Sequence, residues 1–368
     1  MPRALIVGSG LAAATAARQL AESGVHVEVV EAASHWGGQL RPAEANGILY
    51  EVHGAHIFHT TDTEVWDFVR RFSTFRPYRH RVMTEVNGRL LSWPPQVEEL
   101  KELPEWAAIR AELDGLPVQP DPSNFESWVV GLMGPTLYEW FIAPYTLKQW
   151  GVEPRALTSQ WAPRRIELRD DGYTDLFRDP HQGWPVGGYG TLIDGLLADT
   201  EVMMGVKATA EDIAGWTGEY DAVLVTAPLD ELFEERLGAL TWRGVHLVNR
   251  YLPGVDHVLP CGVVNHPGLD QRYTRRIETK WMSGQEQLGT VVSEEFPGAP
   301  VRHYPVDDVE GENRRLAQLY QQLFREEFGP KAFLAGRLAT YTYINMDQAV
   351  RQGLNATNGM LRVIEAGA

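Results

Sequence analysis

Ala4-Leu5-Ile6-Val7-Gly8-Ser9-Gly10-Leu11-Ala12-Ala13 decides the fold: an apolar strand runs into a glycine-rich turn, and a helical pattern continues to Ser23. Gly8 permits the tight turn from strand to helix, and Gly10 lets the backbone approach a pyrophosphate closely. Ala13 takes the third glycine position, where a small side chain keeps the helix against the strand. The helix N-terminus adds unsatisfied N–H groups and a partial positive charge. This stretch therefore predicts a dinucleotide-binding βαβ unit.

A second strand and a second pair of glycines indicate which dinucleotide is bound. The strand ends at Glu31, at the spacing of a carboxylate that binds a ribose 2′-hydroxyl, which favours an adenosine without a 2′-phosphate. Gly37-Gly38 follows shortly afterwards and favours FAD over NAD. The alternative is a glycine turn in an ordinary α/β protein that binds no nucleotide.

Composition excludes several classes of function. Of 368 residues, 33 are Lys or Arg and 49 are Asp or Glu, and the resulting net charge of −16 disfavours nucleic acid as a partner. The single cysteine, Cys261, rules out an intramolecular disulfide and a Cys-based metal site, and no metal site is predicted. No apolar run reaches the length of a membrane span, and Met1 leads straight into the first strand. We therefore expect a cytoplasmic enzyme with no membrane partner.

Local patterns predict further elements along the chain. Residues 82–93 alternate apolar and polar side chains around Asn87-Gly88, which predicts a β-hairpin. Residues 96–150 show helical periodicity with a break at the prolines near 117–122, whereas residues 151–190 are expected to be irregular. The other predicted elements are strands over 202–210, 220–226 and within 241–301, a helix over 311–328, a strand over 332–336 and a helix after Tyr343.

These elements predict an α/β fold with a Rossmann-like FAD-binding domain, an inserted helical domain and an antiparallel sheet domain. The FAD-binding domain is expected to be discontinuous, since its strands are separated by the inserted segments. The predicted boundaries are 1–80, 190–240 and 330–368 for the FAD-binding domain, 96–160 for the helical domain with a mobile loop over 151–180, and 81–95 with 241–310 for the sheet domain.

Two longer stretches narrow the prediction to a family. They are Gly54-Ala55-His56-Ile57-Phe58-His59 and Tyr145-Thr146-Leu147-Lys148-Gln149-Trp150. With them, in the same order as in the family, come Tyr138-Glu139-Trp140-Phe141, Gln182-Gly183-Trp184-Pro185, Gly188-Tyr189, Tyr273-Thr274-Arg275 and Gly336-Arg337-Leu338-Ala339-Thr340-Tyr341-Thr342-Tyr343. Through these stretches, which cover nearly the whole chain, the protein resembles the bacterial UDP-galactopyranose mutase family.

The resemblance implies a flavin-dependent isomerase that interconverts the pyranose and furanose forms of a nucleotide-linked sugar without net redox change. In such enzymes reduced FAD attacks the anomeric carbon through N5, binds the sugar covalently and expels the nucleoside diphosphate. The sugar opens, recloses through another hydroxyl and is recaptured by the nucleotide. The implied partners are a sugar or nucleotide-sugar substrate, an external reductant for the flavin and, since relatives commonly dimerise, a second copy of the chain in a homodimer.

The same resemblance assigns the site residues. His56, Arg337 and Tyr343 are the expected catalytic residues, although a lone histidine is more typical of a core and a lone arginine of a surface ion pair. The aromatic residues of 141–150, taken alone, would equally suit a helix core. The expected substrate-binding residues are Phe141, Tyr145, Trp150, Trp161, Arg164, Tyr173, Arg275 and Glu294. The expected cofactor-binding residues are Gly8, Gly10, Ala13, Glu31, Gly37, Gly38, His56, Arg337, Asn345 and Met346.

The chain departs from the family at two arginines that clamp the substrate diphosphate, since Trp161 and Glu294 stand at those positions. At an effective dielectric constant near 20, two unit charges 4 Å apart interact by about 4 kcal/mol, so a carboxylate beside a phosphate is a large change. One explanation is that Arg164, Arg165 or Arg275 supplies the charge from a new position. A second is a less negatively charged substrate, with Trp161 stacking on a ring. A third is loss of the mutase reaction. We expect a substrate other than UDP-galactose.

Two other kinds of function stay open. An FAD-dependent oxidoreductase, such as a sugar or amine oxidase, would share the N-terminal fold but not the stretches at 145–150 and 336–343. A flavin-binding protein without catalysis is the third candidate. Random loss of function argues poorly for this candidate, because it would not selectively spare five residues that match the family while replacing the two clamping arginines. The five are His56, Tyr145, Trp150, Arg337 and Tyr343.

Overall fold

A five-stranded parallel sheet forms the first layer of the protein, in a computed structural model that describes residues 1–159 and 166–367. Its strands are β1 Arg3–Val7, β2 His26–Glu31, β10 Glu201–Met204, β11 Ala222–Val225 and β16 Ala332–Leu334. They lie in the order β10-β2-β1-β11-β16, and every adjacent pair is parallel. Parallel strands covered on both faces need continuous apolar sequence, which explains why Ala4-Leu5-Ile6-Val7 is buried throughout.

Helices cover both faces of this sheet and build a further layer beside it. They are α1 Leu11–Glu22, α2 Thr63–Arg70, α3 Val97–Lys101, α4 Trp106–Asp114, α5 Phe125–Leu137, α6 Ala143–Trp150, α7 Tyr189–Leu197, α8 Ala210–Glu219, α9 Leu229–Leu232, α10 Lys280–Ser283, α11 Glu312–Phe328, α12 Gly336–Thr340 and α13 Met346–Gly367. Helices α1 and α13 approach so closely that a Cβ on Gly353 would lie 2.5 Å from the Ala12 carbonyl oxygen. Among the described residues, no helix is both long and apolar enough to cross a membrane.

A six-stranded sheet forms the second layer. Its strands are β7 Val82–Val86, β8 Arg89–Trp93, β12 Trp242–Leu252, β13 Val263–Asn265, β14 Arg275–Ile277 and β15 Thr290–Pro305, in the order β12-β15-β14-β13-β7-β8. The pairing of β12 with β15 shifts register on either side of Gly244. Arg243 pairs with Tyr304 but Gly244 pairs with Ala299, so residues 300–303 bulge out of the ladder.

Two small sheets position the loop that follows the first βαβ unit. Strands β3 Pro42–Ala45 and β4 Ile48–Glu51 form an antiparallel pair. Strand β9 His181–Pro185 lies between β5 Phe58–Thr60 and β6 Phe75–Pro77 and is antiparallel to both. The loop of residues 52–57 therefore runs between a strand of one small sheet and a strand of the other.

The helical region contains a local irregularity between α5 and α6. Residues Tyr138–Ile142 form a turn of π-helix, and Tyr138, Phe141 and Ile142 are all buried there. A π turn rotates the side chains that follow it relative to the preceding α-helix. Helix α6 consequently presents a different face to the six-stranded sheet than a continuous α5 would.

The structure confirms most of the predicted elements and corrects three. The β7–β8 hairpin, the broken helices before Trp150 and helix α11 occur where the sequence predicts them. Residues 151–190 are not irregular throughout, since β9 lies among them as the central strand of its sheet. The strand expected over 202–210 is shorter, because a Thr209 capping box starts α8 at Ala210. The second sheet is not wholly antiparallel, since β13 pairs with β7 in parallel. The predicted domain boundaries stay predictions.

Candidate active site

The glycine turn after β1 lines a cleft of about 430 Å³ at the carboxyl edge of the parallel sheet, which we call the glycine cleft. All the residues predicted to bind the cofactor line it: Gly8, Gly10, Ala13, Glu31, Gly37, Gly38, His56, Arg337, Asn345 and Met346. They come from both ends of the described chain, and the fold brings them together because β16 and α12 pack beside β1 and α1.

The two turn glycines are needed for different reasons. Gly8 has φ +102°, and a Cβ there would lie 2.1 Å from Thr226 Oγ1, so any side chain would strain the turn. A Cβ on Gly10 would have no neighbour among the described atoms within 4 Å, so Gly10 faces open space. Within the described residues no side chain caps the N-terminus of α1, which leaves its N–H groups available to an anion. This cradle fits the pyrophosphate of a dinucleotide such as FAD.

Glu31 braces the turn as well as lining the cleft. Its Oε2 accepts hydrogen bonds from the Ser9 backbone N–H at 2.9 Å and from the Ser9 hydroxyl at 2.5 Å, and its Oε1 accepts one from the Ala33 N–H at 2.8 Å. An ionised carboxylate has about four acceptor positions, so one remains for a ribose hydroxyl.

A second cavity, of about 270 Å³, opens beside the glycine cleft and is walled largely by aromatic side chains. We call it the aromatic cavity. Phe141 reaches it from the π turn, and Tyr145 and Trp150 reach it from α6. Five residues line both spaces and form what we call the junction: His53, His56, Arg337, Asn345 and Met346. The cleft and the cavity are therefore parts of one continuous site.

Arg337 is held at the junction by carbonyl oxygens and aromatic rings. Its guanidinium donates to the Ile344 carbonyl at 2.6 Å, the His303 carbonyl at 3.2 Å and Gln39 Oε1 at 3.3 Å. Its Cζ lies 5.3 Å from the ring centre of Tyr304 and 5.1 Å from that of Tyr343. Every one of these partners is neutral, so the positive charge of Arg337 remains uncompensated by any ion pair among the described residues.

His56 is oriented by two hydrogen bonds of its backbone. Its N–H donates to Glu51 Oε2 at 2.8 Å, and its carbonyl accepts from the Tyr189 hydroxyl at 3.1 Å. Its buried ring Nδ1 lies 3.4 Å from the same Glu51 oxygen and makes no hydrogen bond among the described residues. The histidine is therefore anchored to the core through its backbone while its ring stays at the junction.

Two phenols of the aromatic cavity remain protonated at neutral pH. Burial raises the pKa of Tyr145 to about 12, and burial likewise raises the pKa of Tyr304. Both line the cavity. They can therefore act as neutral hydrogen-bond donors to sugar or phosphate oxygens.

Arg275 and Glu295 form an ion pair in the cavity wall. The Arg275 Nη2 lies 2.7 Å from Glu295 Oε2, and the Glu295 side chain is only 1% exposed. Gly54, with φ +122°, packs on this pair, since a Cβ there would lie 3.4 Å from each partner. The guanidinium of Arg275 is thus already compensated within the wall.

We expect Arg275→Met to lower the free energy of unfolding by about 3–5 kcal/mol, because it leaves the buried Glu295 carboxylate without its cation. Urea denaturation measures the change. Arg276→Met is the matched control, since the neighbouring arginine makes no ion pair among the described residues and faces the other side of β14. A double variant Arg275→Met with Glu295→Leu should recover part of the loss, and equal losses in the two single arginine variants would contradict the prediction.

The structure does not bring every predicted substrate residue into the site. Glu294 lines neither space, because side chains alternate along β15 and Glu295 is the residue that faces the cavity. Tyr173 does not line the cavity either, although its hydroxyl donates at 2.8 Å to the carbonyl of Phe177, which does. The roles of Glu294 and Tyr173 in substrate binding stay predictions. Trp161, Arg164 and Arg165 lie outside the described residues.

Sequence reasoning missed several residues of the site. His53 lies at the junction, His303 lines the glycine cleft, and Tyr304 and Glu295 line the aromatic cavity. His303 Nε2 lies 3.2 Å from His53 Nδ1, although the two are 250 positions apart in the chain. The spacing of three residues between His53 and His56 is a local pattern that could have indicated His53 as a site residue. No local pattern indicates His303.

Acid should destabilise the protein through the His53–His303 pair. Burial, followed by electrostatic repulsion between a protonated ring and its neighbours (His56, His35 and Arg41 for His53; His53, Arg337 and His56 for His303), lowers the pKa of each ring to about 4 from an ordinary 6.5. Between pH 6.5 and 4 the unfolded chain therefore binds more protons than the folded one, so the free energy of unfolding falls as the pH falls. Urea midpoints across this window measure the slope, which should be shallower in a His53→Phe, His303→Phe variant. An unchanged slope would contradict the prediction.

Fold and site together define a dinucleotide-binding protein of the Rossmann class. Its residues 140–343, more than half of the chain, match the family model described as UDP-galactopyranose mutase, and residues 6–72 match a model of an NAD(P)-binding Rossmann-like domain. The chain therefore belongs to the UDP-galactopyranose mutase family, and it is an isomerase of that type.

Three individual proteins illustrate the similarity. The chain is 31% identical over 372 residues to the dTDP-fucopyranose mutase of Escherichia coli, covering 96% of this chain and 97% of that protein. It is 30% identical over 370 residues to the probable UDP-galactopyranose mutase of Klebsiella pneumoniae, covering 97% and 94%. A crystal structure of reduced UDP-galactopyranose mutase shares the fold, with a TM-score of 0.80 at 17% identity over 99% of this chain and 96% of that chain.

Proposed function

We propose that the protein interconverts the pyranose and furanose forms of a nucleotide-linked or related sugar with the help of reduced FAD. The observation that carries the proposal is the junction, where residues of the glycine cleft also line the aromatic cavity. A dinucleotide seated in the cleft would thereby present its reactive ring to a ligand in the cavity. The naming of similar proteins as pyranose mutases supports the same reaction.

The residues present fit FAD. Gly8, Gly10 and the N-terminus of α1 would hold the pyrophosphate, Glu31 the adenosine ribose, and Asn345 and Met346 the ring end of the cofactor. When bound in its reduced form, FAD supplies through N5 an electron-rich nucleophile that can bond to the anomeric carbon of the sugar.

The protein's own side chains bind the substrate, orient it and stabilise the charge that develops on it. Phe141, Tyr145 and Trp150 provide the aromatic platform for a base or sugar ring, and the Tyr145 phenol donates a hydrogen bond. Arg337 places a positive charge at the junction, where negative charge collects on the departing nucleotide. Tyr343, with 44% of its surface exposed, lies beside Tyr304 and offers a hydroxyl to the sugar or its leaving group. His56 lines the junction with an imidazole that can donate or accept a proton.

We propose a substrate other than UDP-galactose. Of the two cations that line the aromatic cavity among the described residues, Arg275 is compensated by Glu295, which leaves Arg337 as the charge that faces a phosphate. An external flavin reductant and a homodimer complete the proposed partners.

The test is an activity panel with FAD-loaded protein reduced by dithionite. UDP-galactose, dTDP-fucose and other UDP-, dTDP- and GDP-linked sugars are supplied as pyranoses, and furanose formation is followed by chromatography and mass spectrometry. A recovered flavin that carries the mass of the sugar after borohydride-type trapping supports nucleophilic catalysis. Oxygen consumption or net flavin reduction by the substrate would support an oxidase instead. Isothermal titration with UDP tests the proposal of a changed substrate. If UDP binds as tightly as it binds to an ordinary UDP-galactopyranose mutase, that proposal is wrong.

A further inference from the structure

A pair of histidines lies in the wall of the glycine cleft, and one of the two, His53, also belongs to the junction. His53 lies in the loop after β4, and His303 lies in the bulge of β15. Their rings meet edge to face with centroids 5.2 Å apart, and His303 Nε2 lies 3.2 Å from His53 Nδ1. No part of the proposed function uses either ring.

The backbone determines where the protons of this pair reside. The Val245 N–H donates to His303 Nδ1 at 2.9 Å, and a backbone amide can only donate. His303 Nδ1 therefore carries no proton, and the neutral ring carries it on Nε2. That N–H donates in turn to His53 Nδ1, so His53 also carries its proton on Nε2. His53 Nε2 has no hydrogen-bond partner in the part of the chain that the structure describes.

The register shift between β12 and β15 makes this arrangement rigid. A Cβ on Gly244 would lie 2.3 Å from the Ala299 carbonyl oxygen and 2.4 Å from that of Val301, so only glycine lets the bulge approach β12. The bulge places His303 against the Val245 amide, and the Arg337 guanidinium donates to the His303 carbonyl at 3.2 Å. The donor chain therefore begins in the sheet and ends on a wall residue of the site.

We propose that His53 is a binding residue for the cofactor, whose Nε2–H donates a hydrogen bond to an acceptor on the flavin ring, and that His303 is the positioning residue that fixes this tautomer. The inference rests on the proposed function in requiring FAD in the glycine cleft. A neutral N–H donor stabilises electron density on the ring, and that density grows on reduction. Binding of the reduced flavin is thereby favoured over binding of the oxidised flavin.

The groups around the pair keep both rings neutral. His56, His35 and Arg41 face His53, and Arg337 and His56 face His303, so a proton added to either ring would be repelled. In addition, each unprotonated nitrogen already accepts a hydrogen bond, which a further proton would break. The donor on His53 Nε2 is thus retained across the pH range in which a free histidine titrates.

The first measurement is the reduction potential of the FAD-loaded protein. In His53→Phe, the preference for reduced over oxidised flavin should fall about tenfold, which lowers the potential by about 30 mV for a two-electron couple. His53→Gln retains an N–H donor and should recover most of the shift. His303→Phe should give a smaller shift, and the double variant should not exceed His53→Phe, because the two residues act in series. His26→Phe, at a half-exposed histidine on β2, is the control and should not change the potential.

The second measurement is ¹⁵N NMR of the histidine rings in the same protein. Both rings should be neutral with the proton on Nε2 from pH 6 to 8, and the His53 Nε2 signal should move when the flavin is reduced. A proton on His53 Nδ1, or an unchanged potential in His53→Phe, overturns this inference alone. If the wild-type protein binds no flavin, the proposed function is wrong as well. The ¹⁵N spectra would still show which ring nitrogens of His53 and His303 carry protons.

Discussion

Arg337→Ala should lower kcat/KM about 10²–10³-fold, the usual effect of removing one preorganised electrostatic partner from an active site. Its guanidinium is the uncompensated positive charge at the junction, held by the Ile344 and His303 carbonyls between two phenol rings. Arg337→Lys should recover little of the activity, because an ammonium cannot reproduce the planar fork that reaches both carbonyls at once. Steady-state kinetics with the FAD-loaded, reduced protein measure the effect.

Two checks separate catalysis from folding in this variant. Flavin content and the urea midpoint are measured alongside the rate, since the three acceptors of Arg337 lose their donor. Arg325→Ala, on the exposed side of α11, is the control and should retain wild-type activity. Retention of more than about a tenth of the activity in Arg337→Ala would remove the arginine from its proposed role.

Gly10→Val should weaken FAD binding at least about 100-fold, or by about 2.7 kcal/mol, without unfolding the protein. A Cβ at this position meets no described atom within 4 Å, so the added side chain enters only the space in front of α1. It therefore excludes the pyrophosphate rather than straining the turn. Fluorescence titration of the apoprotein with FAD gives the dissociation constant.

The matched control for Gly10→Val is Gly215→Val. A Cβ on Gly215, in the exposed helix α8, also meets nothing within 4 Å. The control should bind FAD as the wild type does and gain about a few tenths of a kcal/mol of stability, because valine has a higher helix propensity than glycine. Gly8→Ala, by contrast, should destabilise the fold itself because of the 2.1 Å approach to Thr226. Wild-type flavin affinity in Gly10→Val would mean that the cofactor lies elsewhere.

Elements that depend on local chemistry could be predicted from the sequence. The Gly8–Gly10 turn and the Asn87-Gly88 hairpin need particular backbone conformations that few residues permit. Strand β9 could not be predicted, because its sequence has no alternation and its partners β5 and β6 are more than 100 residues away. The parallel β7–β13 pair is equally non-local.

The same distinction applies to the candidate site. Phe141, Tyr145 and Trp150 lie in one helical stretch, and their common orientation follows from periodicity and the family resemblance. The sequence does not show whether Glu294 or Glu295 faces the cavity, because adjacent residues of a strand point to opposite faces and only the pairing registers decide between them. His303 could not be found, since its role depends on a bulge that two distant strands create together.

The strand order of the parallel sheet has a consequence for synthesis of the chain on the ribosome. The glycine turn is translated first, yet β16, α12 and the start of α13, which complete the cleft, are translated more than 300 residues later. Until then the alanine-rich face of α1 lacks the helix that packs on Ala12 and Thr15. The nascent chain therefore cannot capture its cofactor during most of translation. Flavin loading would follow release of this segment from the exit tunnel, and a shortage of flavin would expose the chain with an empty cleft to chaperones and proteases.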